Sequence, residues 1–155
     1  MKNITAKDIM TRDVVTASVE MPVKDLADLL TKKNVSGAPV VDAAGKVVGM
    51  VSESDLIMVD ARIHYPTYIH LLDGFIYWPA SVARFNEEFK KALGSTVGDI
   101  MTDAVATAGE DATLEDLATL MTDNDVSRLP IVGPDHKLIG LVTKHDLVKA
   151  ISKSL

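Results

Sequence analysis

The chain has 155 residues, 16 Lys and Arg against 22 Asp and Glu, and a net charge of −6; 47% of its residues are hydrophobic and 25% charged. This composition belongs to a folded chain, long enough for one compact domain or two very small ones. It excludes disulfide and thiolate chemistry (there is no Cys), a membrane span of ~20 apolar residues, a signal peptide at Met1–Asp8, and nucleic acid as main partner, which needs clustered cations.

In chain order, Thr5-Ala6-Lys7-Asp8 predicts a helix start, with Thr5 as N-cap and Asp8 three residues on. Val14-Val15-Thr16 reads as a short strand. Pro22 through Asn34 reads as an amphipathic helix: Pro22 suits its first turn, and Val23, Leu26, Ala27 and Leu30 share a face. Ala38–Val41 and Lys46–Val51 are apolar strands, joined by the hairpin turn Asp42-Ala43-Ala44-Gly45. Ser52 then begins a second helix.

The pattern changes after residue 58, and residues 63–95 form an insert that holds every aromatic side chain of the protein: Tyr65, Tyr68, Phe75, Tyr77, Trp78, Phe85 and Phe89. Pro66, Gly74 and Pro79 break its first half. Val82, Phe85, Phe89 and Leu93 recur at helical spacing, with Gly94 as C-cap. The aromatics are expected to cover apolar surface on the repeats or on a dimer partner; the alternative is a lid or docking patch.

Asp8-Ile9-Met10-Thr11 returns as Asp99-Ile100-Met101-Thr102, an offset of 91. Residues 8–58 against 99–149 give 21 identities in 51 positions without a gap. The chain is therefore a duplication of one strand–helix–strand–strand–helix unit, copy one within 1–62 and copy two within 96–155, where Gly133-Pro134-Asp135-His136 supplies the turn. A unit of about 50 residues buries little surface alone, so the copies are expected to share a core.

Val35-Ser36-Gly37-Ala38-Pro39-Val40-Val41-Asp42 followed by Gly49-Met50-Val51-Ser52-Glu53-Ser54-Asp55-Leu56 resembles the cystathionine-β-synthase (CBS) domain. Val126-Ser127-Arg128-Leu129-Pro130-Ile131-Val132 with Gly140-Leu141-Val142-Thr143-Lys144-His145-Asp146-Leu147 resembles it equally. The resemblance implies an α/β (α+β) fold of tandem β-α-β-β-α repeats packed as a pseudo-two-fold pair, a Bateman module. It further implies a homodimer and an adenosine-containing ligand: AMP, ADP, ATP, S-adenosylmethionine or a cyclic dinucleotide such as cyclic di-AMP. Such pairs regulate an attached or partner protein and catalyse nothing.

The residues indicate where a ligand would sit. In Gly-x-x-Ser/Thr-x-x-Asp, a strand hands over to a helix. Gly49 and Gly140 allow close approach. Ser52 and Thr143 stand at the N-cap, where free N–H groups suit a phosphate. The carboxylates of Asp55 and Asp146 accept hydrogen bonds only, as a ribose diol requires. The same spacing is also a capping box, contributing roughly 1 kcal/mol without any ligand. The family places ribose on the matching Asp and phosphate on the matching Ser or Thr. Arg128, where copy one has Gly37, matches the family's basic phosphate-binding position, and a guanidinium grips phosphate bidentately. The sites are therefore expected to be unequal: Thr143, Asp146 and Arg128 prefer a phosphorylated ligand, whereas Ser52 and Asp55 are empty or take a less anionic adenosyl group.

Carried over residue by residue, the adenine walls are Ile9, Met10, Val35, Ser36 and Ala38 in one copy and Ile100, Met101, Val126, Ser127 and Leu129 in the other. The family pairs the Asp of one copy with the wall of its sister, which gives Asp146 the Val35–Ser36 wall. Core packing is the competing role for Val35, Val126, Ile9 and Ile100. No nucleophile–base–orienter set is recognisable, and His64, His70 and Asp73 match no zinc spacing. The expectation is a non-enzymatic, metal-free cytoplasmic nucleotide sensor, whose ligand clamps the copies in one arrangement and acts in trans on an unknown partner. The alternative is a ligand-free dimerisation or docking module.

Overall fold

The computed structural model describes residues 3–61, 68–71, 74–77, 80, 82–83 and 95–155. In copy one, α1 (Ala6–Ile9), β1 (Ala17–Ser18), α2 (Val23–Lys33), β2 (Gly37–Val41), β3 (Val47–Ser52) and α3 (Glu53–Ala61) follow one another. Strands β4 (Tyr68–Leu71) and β5 (Gly74–Tyr77) come next. Copy two repeats the pattern with α4 (Val97–Ile100), β6 (Ala108–Gly109), α5 (Leu114–Asp123), β7 (Arg128–Val132), β8 (Leu138–Thr143) and α6 (Lys144–Ser154). The fold is mixed α/β, with two three-stranded sheets ordered β1-β2-β3 and β6-β7-β8.

The second sheet shows how the unit is built. Strand β6 runs parallel to β7, Ala108 beside Ile131 and Gly109 beside Val132. Strand β7 pairs antiparallel with β8, placing Arg128 opposite Thr143 and Leu129 opposite Val142. Only two residues of β6 join the ladder. The first strand of copy one is equally short and begins at Ala17, not at the predicted Val14-Val15-Thr16. Strand propensity marks a stretch that fits a sheet; the neighbouring strand decides which residues pair. The turn of copy one is as predicted: Asp42 Oδ1 accepts from the N–H groups of Ala44 (2.9 Å) and Lys46 (2.9 Å), and Gly45 takes φ +81°, open to glycine at little cost.

The insert yields a feature the sequence reading passed over. Strands β4 and β5 form a hairpin, with Tyr68 beside Tyr77 and Leu71 beside Gly74. Ala80, Val82 and Ala83 are helical. Tyr65, Trp78, Phe85, Phe89, Leu93 and Gly94 lie outside the described residues, as do His64 and Asp73.

The chain folds as two compact units, and neither is a repeat copy. The first comprises Met1–Thr16, Ala38–Met50 and Thr102–Leu155; the second comprises Ala17–Gly37 and Val51–Met101. The leading segments are exchanged. In the first unit, α1 of copy one binds copy two: Ala6 N–H donates to Ala112 O (2.8 Å), Lys7 N–H to Glu110 O (2.9 Å), and Thr11 and Leu141 exchange two bonds of 2.9 Å. In the second unit, at the equivalent positions, Val97 N–H donates to Met21 O (2.8 Å) and Gly98 N–H to Val19 O (2.9 Å).

The core of the first unit joins Ala6 and Met10 to Ala108, Leu117, Met121, Leu129, Ile131, Val142 and Leu147. Leu117 and Leu129 are fully buried, each worth about 1.5–3 kcal/mol over an exposed side chain. Gly140 makes room for Met10: a Cβ there would stand 2.3 Å from its sulfur. The close approach inferred at this glycine is thus made by a protein side chain. In the second unit, α2 buries Val23, Leu26 and Leu30 on the predicted face, with Pro22 at its N-cap and Asn34 in the left-handed region as C-cap.

Candidate functional site

Strand β8 hands over to α6 at Thr143, which is still extended (φ −107°, ψ 163°). Its N–H donates to Asp146 Oδ2 at 2.8 Å and its hydroxyl donates to the same oxygen at 2.8 Å. The hydroxyl in turn accepts from Asp146 N–H at 3.2 Å. The capping box is complete, and the carboxylate is held by two donors on one oxygen; Oδ1 takes no part in the cap. Capping and ligand binding therefore do not compete for the same oxygen.

Arg128 lies directly across the ladder from Thr143, so the two side chains leave the sheet on one face. The pairing continues into the helix, where Lys144 N–H donates to Ser127 O at 3.0 Å. Thr143, Asp146 and Arg128 are all half-buried, whereas Lys144 and His145 are exposed. Three residues singled out in the sequence thus gather at one helix start.

Asp146 also lines a cavity of about 340 Å³, together with Ile4, Asp8, Ile9, Lys149, Ala150 and Lys153. One wall is the face of α6 that carries Asp146, Lys149, Ala150 and Lys153; the other is α1 with the residues leading into it. Helix α1 is fixed by its own box, Asp8 Oδ2 accepting from Thr5 N–H (2.9 Å) and Thr5 Oγ1 (3.1 Å). The exchange of leading segments thus brings Ile9 of copy one to Asp146 of copy two. A separate cavity of about 290 Å³ is lined by residues including Arg12, Asp13, Thr16 and Gly45; none of these is among the candidate ligand residues of the sequence.

The matching helix start of copy one lies in the second unit. Ser52 N–H donates to Asp55 Oδ2 at 2.8 Å, but the hydroxyl stands 3.4 Å from that oxygen, at the edge of a useful hydrogen bond. Glu53 N–H donates to Ser36 O at 2.9 Å, the counterpart of Lys144 to Ser127. Val35, Ile100 and Met101, in this unit, are half-buried and Ser36 is exposed. In the first unit Met10 is buried under the Gly140 backbone, Ala38 and Leu129 are fully buried, Val126 is half-buried and Ser127 exposed.

Sequence reasoning missed Ile4, Asp8, Lys149 and Lys153 as cavity residues. A signal existed: positions 146, 149, 150 and 153 share one face of a helix. Near the site, Lys7 is pushed above its ordinary pKa by its hydrogen bond and ion pair with Asp111 (2.8 Å). Asp116, at the start of α5, is pushed below the ordinary carboxylate value by hydrogen bonds from Thr113 N–H (2.9 Å) and Oγ1 (2.8 Å). Among the described residues no group of His, Asp and Glu could hold a metal ion, and no helix is long and apolar enough to cross a membrane.

The family model for the CBS domain matches residues 6–62 and 97–153. The chain belongs to the CBS domain family. It is 36% identical over 151 residues to the uncharacterised protein MJ1426 of Methanocaldococcus jannaschii, covering 94% of this chain and 89% of that protein. It is 34% identical to the chloroplastic CBS domain-containing protein CBSX2 of Arabidopsis thaliana over 94% of this chain, and spans 63% of that relative's length. The crystal structure of CBSX2 in complex with AMP superposes with a TM-score of 0.73 at 30% identity, covering 97% of both chains. The CBS pair of MJ0100, crystallised with 5′-methylthioadenosine and S-adenosyl-L-methionine, shares the fold with a TM-score of 0.74 at 24% identity, covering 99% of each chain.

Proposed function

We propose that this CBS pair is a regulatory, non-catalytic protein that binds an adenosine-containing ligand at Asp146 and signals its occupancy to a partner in trans. The observation that carries this reading is the cavity that unites Asp146 with Ile9: a carboxylate for the ribose diol beside an apolar wall for the base. AMP binding by CBSX2, similar over almost the whole chain, supports the ligand class. Arg128, across from Thr143, supplies the grip on a phosphate at the helix start. The Ser52–Asp55 start lacks an equivalent of Arg128 and is the weaker site.

Ligand binding regulates only if the partner prefers the liganded conformation. Val148 and Ile151, neighbours on α6 that are 65% and 45% exposed, with Leu155 just past its end, support a homodimer, since apolar residues three positions apart share one helix face. The test is calorimetry with adenosine and AMP on the unaltered chain and on Arg128→Ala. AMP should bind more tightly than adenosine, and the substitution should weaken AMP far more than adenosine. Equal losses remove Arg128 from the phosphate; no heat and no thermal shift with either ligand leaves only a docking module.

A further inference from the structure

The cavity of about 290 Å³ lies wholly within the first unit and shares no lining residue with the Asp146 cavity. Its apolar walls are Val14, Val41, Leu138 and Ile139, all half-buried. Gly45 contributes backbone alone, and a Cβ built on it would meet nothing within 4 Å, so the space over this turn is open. Thr16, half-buried, adds a hydroxyl, and the exposed Arg12 and Asp13 complete the lining. The frame is pinned by the backbone: Thr11 exchanges two bonds of 2.9 Å with Leu141, and Leu138 N–H donates to Gly45 O at 3.0 Å. Arg12 Nη2 stands 3.4 Å from Lys7 O, at the edge of a useful hydrogen bond. Among the described residues, neither Arg12 nor Asp13 makes an ion pair. The offset of 91 separates what the fold repeats from what this cavity adds. Val14, Thr16 and Val41 recur as Val105, Thr107 and Val132, and Leu138 and Ile139 correspond to Val47 and Val48. Arg12, Asp13 and Gly45 do not recur; Asp103, Ala104 and His136 hold those positions. The repeated scaffold accounts for the apolar walls and the hydroxyl, but not for a pair of opposite charges beside a turn without a side chain.

We infer that this cavity binds a free α-amino acid with an aliphatic side chain, at a site separate from the nucleotide. The lining carries one positive and one negative charge. A phosphate would face the Asp13 carboxylate, and a simple cation would face the Arg12 guanidinium; a zwitterion satisfies both. The guanidinium offers the α-carboxylate two parallel N–H donors. The α-ammonium has donors only, and the Asp13 carboxylate and the Thr16 hydroxyl oxygen accept from it. The aliphatic side chain then covers Val14, Val41, Leu138 and Ile139, which are otherwise half-exposed to water. Size points the same way: pockets for drug-sized molecules run about 300–1,000 Å³, and this one sits at the lower limit, which suits a metabolite smaller than a nucleotide. The inference does not depend on the reading of Asp146.

The test is NMR titration of the full chain with L-leucine, and with isocaproate, which lacks the ammonium, and isoamylamine, which lacks the carboxylate. The amide signals of Gly45 and Ile139 should shift with L-leucine at lower concentrations than with either analogue. Arg12→Gln and Asp13→Asn change exposed side chains outside the core and should leave the melting temperature unaltered. Each should weaken L-leucine by roughly fivefold, the value of one exposed charge pair. Isoamylamine should bind Arg12→Gln as it binds the unaltered chain, and isocaproate should do the same with Asp13→Asn. AMP should bind both variants as it binds the unaltered chain, since the two cavities share no lining residue. Analogues that bind as well as L-leucine, equal L-leucine affinity in all three proteins, or no shift of these amides up to the solubility limit of L-leucine overturns the inference and leaves the reading of Asp146 standing. Loss of AMP binding in the unaltered chain overturns that reading alone.

Discussion

The two helix starts of this protein were copied from one template and now differ in chemistry. At Thr143 the hydroxyl stands 2.8 Å from the Asp146 carboxylate; at Ser52 the distance to Asp55 is 3.4 Å. Around the first stand Arg128, Lys144 and Lys149; at the equivalent positions around the second stand Gly37, Glu53 and Met58. The backbone link that locks strand to helix is the same in both, 3.0 Å from Lys144 to Ser127 and 2.9 Å from Glu53 to Ser36. A duplicated scaffold thus preserves the hydrogen-bond frame while its side chains diverge in charge, and a difference in ligand preference needs no difference in fold.

The contrast can be broken most sharply at the carboxylates. Asp146→Asn should weaken AMP by at least about tenfold, the value of a hydrogen bond to a charged group, whereas Asp55→Asn should change it less than about twofold; calorimetry on both variants decides. Next in size is Gly140→Ala. The added Cβ would lie 2.3 Å from Met10 Sδ and 3.1 Å from Met10 Cβ, so Met10 must move and stability should fall by about 1–3 kcal/mol in urea unfolding. A smaller effect separates the caps. Thr143→Ala should cost about 1 kcal/mol and Ser52→Ala only a few tenths, because the Ser52 hydroxyl is barely engaged; equal costs in urea titrations would erase the distinction.

The smallest effect provides a control from outside both sites. Asp116 is held below the ordinary carboxylate value in the folded protein because Thr113 donates to its charged form. A lowered folded pKa contributes stability that is present above the unfolded value and is lost as pH falls through the folded one. Asp116→Asn should therefore melt slightly below the unaltered chain at neutral pH, and the gap should close below pH 3.8. A gap independent of pH would mean that the charge is not what Thr113 stabilises.

Much of this was legible in the sequence. The offset of 91 gave the duplication, and helix periodicity placed α2 because Val23, Leu26 and Leu30 do face a core. The Ser/Thr-x-x-Asp spacing located both helix starts, since a capping box is a local structure written in local residues. The exchange of α1 and α4 was not legible: an offset relates equivalent residues and is silent on whether a leading segment packs on its own copy or on its sister. The resemblance gave Asp146 the Val35–Ser36 wall; its meeting with Ile9 follows from the packing of α1 on copy two through the hydrogen bonds of Ala6 and Lys7. The β4–β5 pairing was not legible because Gly74, a breaker by composition, is a strand residue here, paired opposite Leu71. Lys149 and Lys153 escaped notice because a cation becomes a cavity residue only through what stands opposite it, here α1.

The most direct test of the account is a crystal structure of the protein grown with AMP. The account predicts AMP in the cavity between α1 and α6, with both ribose hydroxyls within hydrogen-bonding distance of the Asp146 carboxylate and the phosphate beside Thr143 and Arg128. A nucleotide seated on Asp55 alone, or crystals whose Asp146 cavity holds only solvent at saturating AMP, would contradict it.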